Sequence, residues 1–290
     1  MSARLAVRLG RRVRRRVRRV PGVRTLRRAI LAAVDAVDAT RGRRDPLRPP
    51  RRLQGVGRGD FTAVGNTIAG QLVDLGGLKE DARVLDVGCG SGRVAVPLTR
   101  HLRRGSYDGL DVDEPAIRWC RAAITPRFPT FNFQAIDVAN GHYNPSGELD
   151  PASATLPYSD DVFDFVLATS LFTHLLPAAF LNYAAEASRV LASDGTFFAT
   201  FFLLNDETSA LLARGAAGLD LPHTLRDPST GLSYRASDER SPETAVALEQ
   251  ELVLKALAEA ELEVRAVHPG LWAGREHGVS YQDIVVARRA

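Results

Sequence analysis

Along most of the chain, short apolar runs alternate with longer stretches whose apolar residues recur every three or four positions. Val84-Leu85-Asp86-Val87 predicts a strand, and Val94, Val96, Leu98 and Leu102 predict the helix that follows it across a glycine-rich turn. Val64, Ile68, Leu72 and Leu75 mark a helix ahead of this pair. Beyond it, residues 106–111 read as a second strand, 113–124 as a helix with Ile117, Cys120 and Ile124 on one face, and 131–136 as a third strand. The pattern continues with a strand over 162–167 broken only by Asp164, a helix over 177–191 and an aromatic-rich strand over 195–204. A further helix opens with Ser241 as cap and Pro242 at its first position, burying Ala245, Leu248, Leu252 and Ala256. Strands over 262–267 and 280–287 close the series. Apolar strands separated by helices indicate a largely parallel sheet covered on both faces. The expected fold is therefore α/β, a doubly wound seven-stranded sheet, with no internal repeat.

Three stretches break the pattern. Residues 41–52, with Pro46, Pro49 and Pro50, read as a linker, which divides the chain into an extension over 1–54 and a domain over 55–290. Residues 205–240 mix Gly, Pro, Asp, His and Arg without a period and read as a lid-like insertion. In residues 1–20, Ala6, Leu9, Val13, Val17 and Val20 fall on one side of a helix with arginines around the rest. A basic amphipathic helix suits an anionic membrane surface, and a solvated Arg-rich arm is the other reading.

Charge sharpens this division. Residues 1–58 hold 19 Arg and 3 Asp, a balance of +16, whereas the remaining 19 Lys and Arg face 31 Asp and Glu, a balance of −12. The high isoelectric point thus comes from the N-terminal arm. An acidic body does not suit a polyanion in its cleft, so no nucleic-acid partner is expected. The two cysteines, Cys89 and Cys120, make no disulfide framework. With no membrane-spanning apolar run and no signal-peptide pattern, the expected location is cytoplasmic, peripheral at the inner membrane surface if the arm docks there.

The turn after the first strand carries the candidate chemistry. Gly88, Gly90 and Gly92 have the spacing of a nucleotide-binding turn, but Arg93 stands where a dinucleotide site wants a third close glycine. Asp86 at its mouth would repel a pyrophosphate and would favour a ligand carrying an ammonium and a sulfonium, as in S-adenosyl-L-methionine. Asp111 ends the second strand about 20 residues downstream, the distance at which a carboxylate meets ribose hydroxyls.

Five segments in order, VLDVGCGSGR, GLDVDEPAI, the acid in Ala135-Ile136-Asp137-Val138, FDFVLATSLFTHL and RVLASDGTFFATFF, make residues 60–205 resemble the class I S-adenosylmethionine-dependent methyltransferases. The resemblance implies a Rossmann-like sheet with an antiparallel last strand, S-adenosyl-L-methionine as cofactor, and methyl transfer as the activity. It implies cofactor contacts from Asp86, Gly88, Cys89, Gly90, Gly92, Asp111, Val112, Asp137, Val138 and Thr169, with Asp137 at the adenine amino group and Val138 supporting that edge. In that family the helix before the first strand often closes over the cofactor, which makes Asp60 and Phe61 candidates as well.

Methyl transfer chiefly needs alignment and exclusion of water, but a hydroxyl acceptor also needs a base. His174, just past the fourth strand, is the candidate base; the alternative role is to bond backbone and shape the pocket. His142, Tyr143, His223, Tyr234 and Arg235 are further acceptor-contact candidates. Asp160, Asp161 and Asp164 are the only dense acidic cluster, and no metal is expected there. Asn144-Pro145-Ser146-Gly147 only superficially resembles the motif of DNA amino-methyltransferases, which belongs after the fourth strand, where Ala168-Thr169-Ser170 stands. The expected activity is O-methylation of a small-molecule or glycan hydroxyl, lipid-linked acceptors included. A small-molecule N-methyltransferase and a non-catalytic cofactor-binding scaffold are the alternatives. The oligomeric state is left open.

Overall fold

The structure is a computed structural model describing residues 30, 31, 33–35, 37, 38, 40, 41, 45–54 and 59–290. The Arg-rich stretch 1–20 and the glycines of 55–57 lie outside the described residues. The chain divides into two compact units, residues 1–61 and 62–290.

In the first unit the described residues between 30 and 40 are helical. Arg51 closes on this helix, its guanidinium 2.8 Å from Asp35 and 2.6 Å from Asp38. The Pro-rich stretch is thus tied down at its end, in a 3-10 turn over Arg51–Leu53. Asp60 pairs with Arg48 at 2.6 Å.

In chain order the main elements are α1 (Phe61–Asp74), β1 (Arg83–Val87), α2 (Ala95–Leu98), β2 (Ser106–Asp111), α3 (Glu114–Ala123), β3 (Phe131–Ala135), β4 (Phe163–Ala168), α4 (Pro177–Val190), β5 (Leu191–Phe201), β6 (Leu203–Leu204), α5 (Asp206–Ala213), β7 (His223–Arg226), β8 (Ser233–Ala236), β9 (Val246–Glu249), α6 (Gln250–Glu259), β10 (Leu262–His268) and β11 (Asp283–Arg289). The seven-stranded sheet runs β10-β11-β5-β4-β1-β2-β3. The pairs joining β1 to β5 are parallel, and β11 enters antiparallel to both β5 and β10. Strand order reverses between β1 and β4, so the crevice beyond their carboxyl ends is where this topology binds ligands.

The sequence dictates these elements by familiar means. Apart from the buried carboxylate of Asp86, the core of β1 and β4 is apolar, and Asp164 leaves it to bind the exposed Arg83 at 2.9 Å. Asp113 caps α3 by accepting from the Ala116 amide at 3.2 Å. The core joins Leu85, Val166, Phe172, Phe180, Phe197 and Val285, with α4 packed on the sheet.

The structure departs from the hydrophobic pattern in three places. The helix expected from Ser241 is a short 3-10 turn over Pro242–Thr244 followed by β9. Val246, Ala247 and Leu248 are all buried, and a continuous apolar run of this length serves a buried strand as well as a helix. The helix begins only at Gln250 and buries Val253, Ala256 and Leu257 instead of Leu252. Second, the insertion is folded. Asn205 and Thr208 cap α5 reciprocally, and β7 and β8 form a hairpin in a second sheet ordered β6-β9-β8-β7. Third, the helix predicted over Val94–Leu102 is regular only in α2.

Buried Asp283 fastens the second sheet to the first. Its carboxylate accepts from the Leu203 amide at 2.8 Å, the Gly270 amide at 2.7 Å and the Trp272 indole at 2.6 Å, and pairs with Arg275 at 3.2 Å. Every one of those donors would be costly to bury unpaired.

Candidate active site

β1 ends at Val87 and the chain must turn at once. Gly88, Gly90 and Gly92 have φ of 86°, 53° and 73°, the left-handed region that only glycine enters freely. The Gly88 and Cys89 amides donate to the Leu110 carbonyl at 2.7 and 3.1 Å, and the Gly90 amide donates to Asp111 Oδ2 at 2.6 Å. The turn is therefore locked to the end of β2. Asp111 Oδ1 accepts from the Asp113 amide at 2.8 Å, and the Val112 amide also faces this carboxylate. Burial pushes the Asp111 carboxyl up and these amides pull it back. A carboxylate offers about four acceptor positions, so three amides leave room for a ligand hydroxyl.

Asp86 lies one residue before the end of β1, only 1% exposed. Its Oδ2 accepts from the Tyr107 hydroxyl at 2.5 Å, whereas Oδ1 is buried with no hydrogen-bond partner among the described residues. Burial, opposed by Tyr107, pushes its carboxyl up to about 7. A buried oxygen without a donor costs free energy until something donates to it. A cationic amine is one group that would do so. Asp86, the glycine turn and Asp111 together fit a cofactor that combines an amino acid with a nucleoside. Cys89 and Cys120 are buried, and burial raises both thiols, so they pack beside the turn without nucleophilic character.

Asp137 follows β3, and its Oδ1 accepts from the Asn144 amide group at 2.9 Å. The same group donates to the Val138 carbonyl at 3.1 Å. Asn140 and Asn144 exchange backbone hydrogen bonds at 2.9 Å each, folding residues 140–144 into a tight loop over the carboxyl end of β3. Thr169 follows β4, half-buried. Next to it Ser170 takes φ of 59°, and its amide donates to Thr200 Oγ1 at 2.7 Å.

His174 closes the turn after β4. Its Nδ1 is 2.8 Å from the Glu243 carbonyl oxygen, and its Nε2 is 3.4 Å from the Tyr143 hydroxyl. A carbonyl only accepts, so Nδ1 carries the hydrogen and Nε2 presents a lone pair. Burial lowers the imidazole's affinity for a second proton. The ring is thus neutral, oriented and basic at Nε2. Glu243 also holds the neighbouring loop, its Oε2 accepting from the Gly141 amide at 2.6 Å. A Cβ on Gly141 would lie 2.2 Å from that oxygen, so a larger residue there would displace the glutamate side chain. Asn140 finishes the cluster. Its Nδ2 donates to the His174 carbonyl at 3.0 Å, and its Oδ1 accepts from the His142 and Tyr143 amides at 3.1 and 2.9 Å.

The expected candidates separate accordingly. His142, Tyr143 and His174 come together, with the His142 and His174 rings stacked at 6.2 Å. Tyr234 is buried in the main core and is a packing aromatic, while His223 and Arg235 sit on the β7–β8 hairpin. Asp160, Asp161 and Asp164 each pair with a different arginine: Arg189, Arg289 and Arg83. Among the described residues, no group of three or more acidic, His or Cys side chains is placed to hold a metal ion. Sequence reasoning missed Asn140 and Glu243. Asn140 had a signal, since an asparagine in a loop commonly bonds backbone two or three residues on. Glu243 had none, because Ser-Pro-Glu-Thr reads as a helix start.

A parallel sheet reversing between β1 and β4, with a glycine turn and two strand-end acids at the reversal, defines the class I S-adenosylmethionine-dependent methyltransferases. Residues 85–199 match a family model described as a methyltransferase domain, and the cofactor of that class is S-adenosylmethionine. Among curated proteins, the phthiotriol/phenolphthiotriol dimycocerosates methyltransferase of Mycobacterium tuberculosis is 35% identical over 145 residues, 50% of this chain and 45% of that protein. The fatty-acid O-methyltransferase of Mycolicibacterium smegmatis is 33% identical over 121 residues, 42% of this chain and 37% of that protein. The chain therefore matches less than half the length of either relative. The magnesium protoporphyrin IX methyltransferase of Synechocystis, solved with bound SAH, shares the fold with a TM-score of 0.50 at 15% identity, covering 83% of this chain and 92% of that one.

Proposed function

We propose that this protein is an O-methyltransferase acting on a hydroxyl of a small-molecule or glycan acceptor, lipid-linked acceptors included. One observation carries the reading: His174 is half-buried with Nδ1 committed to the Glu243 carbonyl, which leaves its Nε2 lone pair to serve as a base. The cofactor supplies an activated methyl group on a sulfonium. The chain's residues do the rest. Asp111 and Asp137 are placed for the nucleoside end, Asp86 for the ammonium, and His174 for the proton that an alcohol must lose as its oxygen is alkylated. The printed names of the two mycobacterial relatives, a dimycocerosate and a fatty-acid methyltransferase, support an acceptor of lipid character.

The test is transfer of label from methyl-tritiated S-adenosylmethionine to three probes: a long-chain vicinal diol, a long-chain fatty acid and a small primary amine. Label on the diol is expected. Label on the amine alone would make the protein an N-methyltransferase, which its acidic body also suits. Label on the fatty acid alone would remove the need for a base, because a carboxylate is already ionised.

The Arg-rich residues 1–20 are proposed to dock the enzyme on an anionic membrane surface, near such an acceptor. Each basic residue close to that surface contributes about 1 kcal/mol, screened within a Debye length. The full-length chain should therefore sediment with anionic vesicles at low salt and be released by high salt. A chain beginning near residue 55 should stay in the supernatant. Equal partitioning of the two would return the arm to a solvated role.

A further inference from the structure

We propose that Tyr143 takes the proton from the acceptor hydroxyl and hands its own to His174 Nε2, so that the base acts through the phenol. The inference rests on the O-methyltransfer reading and adds a residue that touches the acceptor. With Nδ1 committed to the Glu243 carbonyl, the Nε2 lone pair is the only basic position on the ring, and the Tyr143 hydroxyl stands 3.4 Å in front of it. Long contacts of this kind tighten when a reacting complex forms. The tyrosine ring meets the His174 ring edge-on at 5.1 Å and the His142 ring edge-on at 4.7 Å, which fixes its plane. Its amide is held by Asn140 Oδ1 at 2.9 Å. The side chain is nevertheless 40% exposed, so one side is packed on histidine and the other is open to an arriving acceptor.

Energetics decide how the phenol works. Burial pushes the Tyr143 hydroxyl up to about 12, and the nearby Arg93 guanidinium only partly offsets this. A phenol so weakly acidic is not a resident phenolate at neutral pH, so it can accept a proton only while giving one away. The balance is complete without another reactant. The acceptor oxygen forms its bond to the methyl carbon, and the carbon–sulfur bond breaks with its electron pair left on sulfur. The acceptor proton passes to the tyrosine oxygen, and the tyrosine proton passes to Nε2. The products are the methyl ether, the neutral thioether and an imidazolium.

Tyr143→Phe deletes one oxygen and keeps the ring. With the diol probe it should lower kcat about 100-fold or more and leave KM within a few-fold, because general acid–base transfer contributes on that scale. A phenylalanine variant with native kcat would overturn the relay. If His174→Ala is then inactive, the base reading survives without Tyr143; if both variants keep full activity, the base reading fails too. A second readout needs neither cofactor nor acceptor. In the free protein, the nitrogen-15 resonance of His174 Nε2 should report an unprotonated, hydrogen-bonded nitrogen and should move in Tyr143→Phe. An unmoved resonance would show that no such bond exists and would equally overturn the proposal.

Discussion

Replacing His174 by alanine should depress turnover of the hydroxyl acceptor by about 100-fold or more while cofactor affinity stays within a few-fold. A hundredfold corresponds to about 2.7 kcal/mol of transition-state stabilisation, the ordinary contribution of a placed base. The split between the two measurements follows from position. His174 contacts Glu243, Tyr143 and Asn140, none of which belongs to the glycine turn or to the acids at the ends of β1 and β2. The variant also removes a donor from the half-buried Glu243 carbonyl, so some loss of stability accompanies it. His174→Gln separates this from chemistry, since its side-chain amide can still donate to that carbonyl but is not a base. Both variants should therefore be slow, and glutamine should melt higher than alanine. Full activity in a folded His174→Gln protein would reduce the histidine to a residue that shapes the pocket.

S-adenosylmethionine affinity should weaken as pH falls below about 7, approaching tenfold per unit, and be flat just above. The cause is Asp86, which burial holds protonated up to about that pH, and which must ionise to receive a cationic amine. Its effect on the free protein has the opposite sense. The folded-state value, about 7, lies above the ordinary 3.8, so the folded chain holds the extra proton. Stability from this group is full below the ordinary value and is lost as pH rises to about 7, a difference of order 4 kcal/mol for a fully buried group. Asp86→Asn removes both effects. Without cofactor it should melt higher than the native protein at pH 8, and with cofactor it should bind weakly with no pH dependence between 5 and 7.5. Titration calorimetry across that range, giving one affinity for the native protein throughout, would show that Asp86 does not meet the cofactor's charge.

The sheet was legible in the sequence because its central strands β1, β4 and β5 are largely apolar and its outer strands β3 and β10 alternate apolar with polar residues. Asp86, Asp111 and Asp137 share one edge for a related reason: each lies at or within two residues of a strand's carboxyl end, and parallel strands bring those ends together. The second sheet was not legible. β7 and β8 are four residues each, and Ala245 to Leu248 has no period that separates a buried strand from a helix. The surroundings of His174 were hidden for a different reason. Its essential neighbour is a backbone carbonyl, 69 residues further along, and any residue type presents a carbonyl. Side-chain identity at Glu243 bears on Gly141, where the glutamate takes the amide, and leaves no mark of what its main chain does for the imidazole.

The place of β11 also sets an order on folding. β10 is an edge strand whose sole neighbour in the sheet is β11, and β11 in turn lies against β5. During synthesis β10 thus emerges before the strand it needs and must wait, unpaired, until β11 has followed it out and docked on β5. Asp283, the first residue of β11, brings with it the acceptor for the Leu203, Gly270 and Trp272 donors. Closure of the sheet and burial of those groups are consequently one late event. Until it occurs, a nascent chain that already possesses its glycine turn and His174 carries an exposed β5 flank, the surface on which one copy can trap another.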